Sequence, residues 1–426
     1  MLNNSNTIIV TVNGFDQPGV TSSLTEILQD HNIEILDMSQ SVIHQILTLS
    51  LIIRMSEDVG ADSVLKELLF KAHEMKLELH FNPLTSEEYS SWVESQHGGR
   101  FIISVLGRKI LAKHIHKITK ICAENHLNIV FLYRLSNRVP LVLEPNAITK
   151  SCIEITVSGT TSDLDKVRRE FLEISTIDDV DIAIQIDNVF RRNRRLVAFD
   201  MDSTLIQAEV IDELAKRAGV GDDVISITQA AMRGELDFNQ SLESRVGLLK
   251  GLSEDVMIDI ARNLPITEGA KELITILKTF GYKIALISGG FTYFANHLKE
   301  VLGIDYVYAN NLEIIDGVLT GKVLGEIVNA ERKAEILTEL ADKEGIHMDQ
   351  TIAVGDGAND LPMLEKAGLG IAFHAKPIVR ASAEMSMSQL GLDAILYLMG
   401  YREREIIAVF DKFDKSPRAS SKEILT

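Results

Sequence analysis

The chain has 426 residues, a length that is typical of two to four domains. Its formal net charge of −18 argues against nucleic-acid binding, because the phosphate backbone repels such a surface. Hydrophobic residues make up 46% of the sequence, yet no stretch approaches the roughly 20 apolar residues of a membrane helix. We therefore expect a globular multidomain protein without nucleic-acid or membrane partners.

The cysteines and the amino terminus both indicate a cytoplasmic protein. Cys122 and Cys152 form no CxxC pattern, so the sequence supports neither a zinc site nor a disulfide framework. Reduced, packed thiols are the expectation. The first six residues lack a basic segment followed by a long apolar run, so we expect no signal peptide.

Residues 1–84 have the pattern of a βαββαβ module. Apolar and β-branched segments at 7–12, 33–42, 46–55 and 77–81 predict strands, and helical spacing at 20–28 and 64–72 predicts two helices. The turn between the first strand and the first helix consists of Asp16, Gln17, Pro18, Gly19 and Val20. The module resembles the ACT domain, a small-molecule sensor whose ligand loop stands at this turn. The resemblance implies an effector site for an amino acid such as serine; the alternative is a turn that only leads into the helix.

The same order of elements is predicted a second time at residues 100–188, after a Ser- and Glu-containing linker at 85–99. The second copy lacks the ligand loop, because Gly107, Arg108, Lys109 and Ile110 stand in its place. Such a degenerate ACT-like module would bind ligand asymmetrically or only build an interface. Residues 136–150 are expected to form a looser insertion.

Two further segments are expected to have no catalytic role. The basic run consists of Arg191, Arg192, Asn193, Arg194 and Arg195, and we interpret it as a solvated interdomain linker, with anion attraction as the alternative. The tail at 390–426 begins with an apolar helix and ends in charged, Ser-rich residues.

The apolar run at 196–199 predicts a short buried strand that leads directly into Asp200 and Asp202. Residues at the carboxyl end of such a strand lie beside a crevice. Two carboxylates held close together repel each other, and a divalent cation with oxygen ligands, such as magnesium, relieves the repulsion. An ordinary Asp-rich turn is the alternative for this pair taken alone.

Two more apolar strands end in polar residues, after a largely helical region at about 210–265. The strand at 284–287 ends in Ser288, Gly289 and Gly290, whose hydroxyl and amides could bind an anion or simply form a tight turn. The strand at 351–354 ends in a GDGxND string, preceded by Lys333 on an amphipathic helix. Lys333 alone could be a solvated helix residue, but the order and spacing of all these signals indicate one common site.

These motifs resemble the four motifs of the haloacid dehalogenase superfamily, over about residues 195–400. The resemblance implies an α/β fold: a Rossmann-like parallel sheet at 189–426 with a helical cap inserted after the first motif. Within the superfamily, Glu209 and the cap segment from Phe238 to Arg245 resemble the phosphoserine phosphatase family. Tandem ACT-like modules precede the catalytic domain in some of its members.

The resemblance implies hydrolysis of O-phospho-L-serine to L-serine and phosphate through an aspartyl-phosphate, a step of serine biosynthesis. Asp200 would be the nucleophile and Asp202 the proton donor and later the base. Mg²⁺ would be held by Asp200, Asp356 and the backbone carbonyl of Asp202, with Asp360 supporting these ligands from behind. Lys333, Ser288 and Gly289 would hold the remaining phosphoryl oxygens.

Substrate specificity is expected to come from the cap. Phosphoserine carries an ammonium and a carboxylate, which Glu209 and Arg245 can bind. Phe238 would pack on the short side chain and exclude water, and Asn359 would touch the phosphate or order Lys333. For Arg245, a surface ion pair with Glu243 is the alternative.

Two other functions remain open from the sequence. A related phosphatase or phosphotransferase acting on another small phosphomonoester would share every motif except the Glu209 and Arg245 pair. A second possibility is an amino-acid sensor with an accessory phosphatase. Because ACT-like sheets often pair in that family, we expect a homodimer.

Overall fold

The computed structural model describes residues 7–55, 61–95, 98–142, 149–161 and 163–413. The chain forms two compact units, Met1–Gly98 and Gly99–Thr426. Part of the predicted insertion at 136–150, including Pro145, and the end of the predicted tail lie outside the described residues. Among the described helices, none is both long enough and apolar enough to cross a lipid bilayer.

The first unit contains the predicted βαββαβ module. Its elements are β1 (Thr7–Phe15), α1 (Val20–Asp30), β2 (Glu34–Ile43), β3 (Ile46–Arg54), α2 (Ala61–Glu74) and β4 (Glu78–Leu84). The four strands form a sheet in the order β2-β3-β1-β4, with antiparallel pairs throughout. Alternate residues of β1 and β3 are buried and belong to one hydrophobic core with Leu24 of α1 and Leu68 of α2. A short helix, α3 (Ser86–Ser95), occupies most of the predicted linker.

The predicted ligand loop of this module lies at the carboxyl end of β1. Residues 16–19 are exposed, and Val20 is buried as the first residue of α1. Gly19 has a φ of 94°, in the left-handed region that favours glycine. The Gln17 side chain donates a hydrogen bond of 2.9 Å to the Met75 carbonyl, which anchors the loop to the end of α2.

The second unit begins with the second βαββαβ module. Its elements are β5 (Arg100–Gly107), α4 (Ala112–Glu124), β6 (Leu127–Arg134), β7 (Ser151–Gly159), α5 (Leu164–Ile177) and β8 (Asp181–Ile186), and the sheet order is β6-β7-β5-β8. One face of the sheet packs on its own helices. From the other face, Leu106, Cys152 and Ala183 join the large core of the domain that follows. This module therefore shares a hydrophobic core with its neighbour.

Where the first module has its ligand loop, the second contacts the neighbouring domain. The Arg108 guanidinium forms an ion pair of 2.9 Å with Glu268. At the same end of the sheet, on the edge strand β8, one buried Asp181 oxygen accepts hydrogen bonds from the amides of Ser388 (2.7 Å) and Gln389 (2.8 Å). Burial raises the pKa of Asp181 to about 6. The degenerate copy thus builds an interface, one of the two roles expected for it.

The interpretation of residues 191–195 as a solvated linker is wrong. Arg191 and Arg194 are each only 5% exposed. The Arg191 guanidinium pairs with buried Glu154 of β7 and donates to the Leu398 carbonyl at 3.1 Å. Arg194 donates to the carbonyls of Asp349 (3.3 Å) and Thr351 (3.2 Å). Acceptors far away in the sequence bind most of the donors of these two buried arginines, although Arg194 Nε has no acceptor among the described residues.

The rest of the second unit is a parallel-sheet domain. Its elements are β9 (Leu196–Phe199), α6 (Val210–Ala218), α7 (Gly221–Met232), α8 (Phe238–Gly247), α9 (Glu254–Arg262), α10 (Ala270–Thr279), β10 (Lys283–Phe291), α11 (Thr292–Leu302), β11 (Tyr306–Ile315), β12 (Val318–Leu324), α12 (Ala330–Glu344), β13 (Thr351–Gly355), α13 (Leu361–Lys366), β14 (Gly370–Phe373), α14 (Pro377–Ser382), β15 (Met385–Met387), α15 (Ile395–Leu398) and α16 (Glu403–Phe413). The segment predicted to be a helical cap contains α6 to α9.

The sheet order explains where a site must lie. The seven strands follow the order β12-β11-β10-β9-β13-β14-β15, and only β12 runs antiparallel to its neighbour. All four residues of β9 are buried, because the strand is paired on both edges and packed on both faces. The chain places β10 on one side of β9 and β13 on the other, so its direction across the sheet reverses at β9. This reversal opens a crevice at the carboxyl ends of β9, β10 and β13.

Candidate active site

The Asp200–Asp202 segment turns sharply out of β9. The Asp200 amide still donates to the Val354 carbonyl of β13 at 2.9 Å, so this residue is held in line with the sheet. Ser203 then has a φ of 54°, and the Asp202 carboxylate turns back to accept a hydrogen bond of 2.9 Å from the Val210 amide. The other Asp202 oxygen lies so close to Gly290 that a Cβ there would approach it to 2.6 Å. The carboxyl ends of β9 and β10 therefore meet at this point.

Lys333 is fully buried at the centre of this group. Its Nζ lies 3.0 Å from Asp200 Oδ1 and 2.7 Å from Asp360 Oδ1. Burial alone lowers the pKa of Lys333, but the two carboxylates outweigh it and raise that pKa above its ordinary value. Lys333 is consequently a permanent cation in contact with Asp200, and the reading as a solvated helix residue is excluded.

The turn at the end of β10 places a hydroxyl and small residues beside the aspartates. Ser288 is buried, and its Oγ accepts a hydrogen bond of 2.9 Å from the Gly290 amide. A Cβ on Gly289 would lie 2.9 Å from the ring of Phe238, so the cap residue packs directly on this turn. Glycine at position 289 permits that approach.

Three carboxylates converge at the site. Oxygen atoms of Asp200, Asp356 and Asp360 all lie within 4.8 Å of one another. Burial and then the neighbouring negative charges raise the pKa of Asp356 to about 8 and that of Asp360 to about 6. The positive charge of Lys333 does not offset this repulsion, so the donor set fits a divalent cation.

The two oxygens of Asp360 are already occupied, by Lys333 and by the Gly357 amide at 3.0 Å. This arrangement favours a supporting role for Asp360. The Asp202 carboxylate is not part of the three-carboxylate group, which agrees with a backbone role for Asp202 at the metal. Burial, followed by the charges of Glu209 and Asp200, raises the pKa of Asp202 well above its ordinary value. A protonated Asp202 can donate a proton.

The cap residues predicted for specificity lie at the same end of the sheet. Glu209 accepts a hydrogen bond of 2.8 Å from the Ser203 hydroxyl, and desolvation raises its pKa. Arg245 is half-buried, and its Nε donates to the Ser241 carbonyl at 3.3 Å. Burial lowers the pKa of Arg245, while the charges of Asp212, Glu209 and Asp202 raise it. The acids that act on Arg245 are Asp212 of α6 and the site residues Glu209 and Asp202, and Glu243 is not among them.

Three residues of the site have no counterpart in the sequence predictions. Thr204 Oγ1 lies 3.5 Å from Asp356, and Ser203 orients Glu209 as described above. Buried Asn310 donates to the Gly289 carbonyl at 2.8 Å and accepts from the Val328 amide at 2.9 Å, which fixes the last residues of β10. Asn310 lies in β11, next to β10. The sequence signal that could have identified it is a polar residue in the strand that neighbours β10.

Two family models match the chain. A haloacid dehalogenase-like hydrolase model matches residues 194–368, and an ACT domain model matches residues 6–82. Phosphoserine phosphatase SerB2 of Mycobacterium tuberculosis is 39% identical over 94% of this chain and 95% of its own length. A phosphoserine phosphatase of Streptomyces coelicolor is 38% identical over 94% of each chain.

The chain belongs to the phosphoserine phosphatase family. A solved structure of a probable phosphoserine phosphatase from Vibrio cholerae is similar to 76% of this chain and 91% of its own, with a TM-score of 0.56 and 34% identity. The predicted α/β fold with a haloacid dehalogenase-like core and amino-terminal ACT-like modules is confirmed.

Proposed function

We propose that this phosphatase hydrolyses O-phospho-L-serine to L-serine and inorganic phosphate. The observation that supports it most directly is the contact of fully buried Lys333 with Asp200, at the strand end that also adjoins the cap residues Glu209 and Arg245. The names of the relatives support the same substrate. The product would supply serine biosynthesis.

In the proposed reaction, two aspartates form and break bonds and the other residues bind the phosphoryl group. Asp200 attacks phosphorus and forms an aspartyl-phosphate, while Asp202 gives its proton to the departing seryl oxygen. Asp202 then accepts a proton from the water that cleaves the acyl phosphate. Lys333 and the Ser288–Gly289 turn neutralise and orient the phosphoryl oxygens.

Mg²⁺ is the proposed cofactor, held by Asp200, Asp356 and the Asp202 carbonyl. When bound, it supplies positive charge that lets a carboxylate approach a phosphate dianion. Asp360 accepts a hydrogen bond from Lys333 and would orient it, and Asn359, half-buried at the same strand end, is proposed to contact the phosphate.

The cap is proposed to recognise the amino-acid part of the substrate. Glu209 binds the ammonium, Arg245 grips the carboxylate, and Phe238 covers the short methylene while it packs on Gly289. A phosphomonoester without both charged groups would leave Glu209 or Arg245 unpaired.

The test is phosphate release from O-phospho-L-serine, O-phospho-L-threonine and p-nitrophenyl phosphate, with Mg²⁺ and with a chelator. We expect strong preference for phosphoserine and loss of all three activities on chelation. Metal-dependent release without preference would contradict the assigned cap roles and leave the aspartate chemistry in place.

We further propose that the loop at 16–20 binds an amino-acid effector and that the protein is a homodimer. The ACT domain match and the exposure of residues 16–19 support the first proposal. Titration of the full chain with L-serine should show calorimetric heat that Asp16→Ala abolishes. Heat unaffected by Asp16→Ala would overturn the effector proposal.

For the homodimer, light scattering should give twice the mass of 47.3 kDa. A monomer mass would overturn the homodimer proposal.

A further inference from the structure

A cleft of about 320 Å³ lies between the second ACT-like module and the parallel-sheet domain, and none of the predicted site residues lines it. Its walls come from α5 and β8 on one side and from the segment of α14 and β15 on the other. We call it the arginine cleft, after three of the residues that line it: Arg168, Arg169 and Arg380. Its volume falls in the range of small-ligand sites.

The guanidinium groups in the arginine cleft are only partly paired. Arg168 forms ion pairs of 3.0 Å with both Asp165 and Glu384, and Arg380 Nε donates to the Ser386 hydroxyl at 3.1 Å. Within the described part of the chain, Arg168 Nε and Arg380 Nη2 are buried and have no hydrogen-bond acceptor. Leaving buried donors without acceptors costs free energy that a ligand's oxygens would recover.

The charge of the cleft is positive in a strongly acidic protein. Three arginines face two lining acids, Asp165 and Glu384, whereas the whole chain has a net charge of −18. Arg169 is exposed, and its nearest acid is Asp163 at 3.9 Å, so its donors remain available at the rim. Planar guanidinium groups match the oxygens of phosphate and carboxylate with paired hydrogen bonds.

We propose that the arginine cleft binds a small oxyanionic metabolite, one that presents a phosphate or carboxylate group to Arg168, Arg169 and Arg380. Leu172 and Ile182 provide an apolar wall for the rest of the ligand. Ile182 follows Asp181, whose carboxylate holds the Ser388 and Gln389 amides, so the ligand would bind across the contact between module and domain.

The test is equilibrium dialysis of full-length protein with labelled inorganic phosphate at low ionic strength, in the presence of a chelator. Without a divalent cation the carboxylates of the active site repel phosphate, so we expect one phosphate per chain, held by the cleft. Arg380→Gln should weaken binding by about tenfold or more, because it removes a charge-assisted donor pair. Arg404→Gln, which alters an exposed arginine outside the cleft, should leave it unchanged.

Further arms make the result decisive. Arg169→Gln should also weaken binding. Because the Arg169 side chain is exposed, this substitution should leave the fold intact, so weaker binding would not be explained by a folding defect. Displacement of phosphate by malonate would assign the site to carboxylates as well. No bound phosphate and no bound malonate, or binding indifferent to both substitutions, would overturn the proposal. A second phosphate that appears only with Mg²⁺ reports on the proposed function, so its absence would count against that function and not against the cleft.

Discussion

At the scale of single residues, the site is a problem of charge balance. Asp200 and Asp360 contact Lys333, Asp202 and Asp356 lie in the same site, and burial raises the pKa of Asp202, Asp356 and Asp360. The positive charge of Lys333 offsets the negative charge of Asp200 at the oxygen that it contacts. Arg245 is another cation at this end of the sheet; burial lowers its pKa, and the charges of Asp212, Glu209 and Asp202 oppose that shift. A substrate with a carboxylate and one without it distinguish recognition by Arg245 from its contribution to the charge balance.

Replacing Arg245 by Ala should raise KM for O-phospho-L-serine by about 10- to 100-fold, the loss expected for charged hydrogen bonds to a carboxylate. O-phosphoethanolamine, which lacks the carboxylate, should lose less than about threefold in kcat/KM. Steady-state kinetics on both substrates measures the difference. Arg217→Ala, which removes an exposed cap arginine paired with Asp259, is the matched control. Equal losses on both substrates would show that Arg245 acts only through the charge balance.

At the scale of elements, the position of Lys333 depends on how α12 begins. The Asn329 side chain caps the helix by accepting a hydrogen bond of 3.0 Å from the Arg332 amide. Lys333 lies one turn further on, with its amide bonded to the Asn329 carbonyl at 3.0 Å. A loss of the cap therefore loosens the turn that presents the lysine.

We predict that Asn329→Ala lowers the free energy of unfolding by about 1 kcal/mol and also lowers kcat. Urea unfolding and steady-state kinetics measure the two effects. Ser253→Ala removes a comparable cap, a hydrogen bond of 3.3 Å to the Asp255 amide at the start of α9, where no site residue lies. The free energy of unfolding of the Ser253→Ala variant should fall, whereas its kcat should stay unchanged. Should both variants lose kcat alike, the link between the cap and Lys333 would be refuted.

Among the elements, the strand ends could be predicted from the sequence, whereas contacts between distant segments could not. Strand ends were predictable, because an apolar run followed by Asp200, Ser288 or Asp356 is a local pattern with a local consequence. The arginine run was misread, because its burial depends on Glu154, which lies 37 residues from Arg191. Asn310 was missed for a related reason: its partners, the Gly289 carbonyl and the Val328 amide, become neighbours only when the sheet forms.

At the scale of the whole molecule, the second module and the parallel-sheet domain behave as one body. Apolar residues from β5, β7 and β8 complete the large core, and Arg191 joins Glu154 of the module to carbonyls near the end of α15. Both side chains of this ion pair are less than 10% exposed. Such a pair contributes little net stability when intact, but removal of one partner leaves a buried charge.

We therefore predict that Arg191→Met destabilises the full-length protein by about 3–5 kcal/mol, since it leaves the Glu154 carboxylate buried without a cation. Hydrogen exchange should show the loss of protection in β7 and α15 together. Combining it with Glu154→Gln should restore most of the stability, because the uncompensated charge is gone. Arg217→Met, in an exposed pair with Asp259, should cost less than about 1 kcal/mol. If β7 lost protection while α15 kept it, the module and the domain would be separate cooperative units, and their shared core would not couple them.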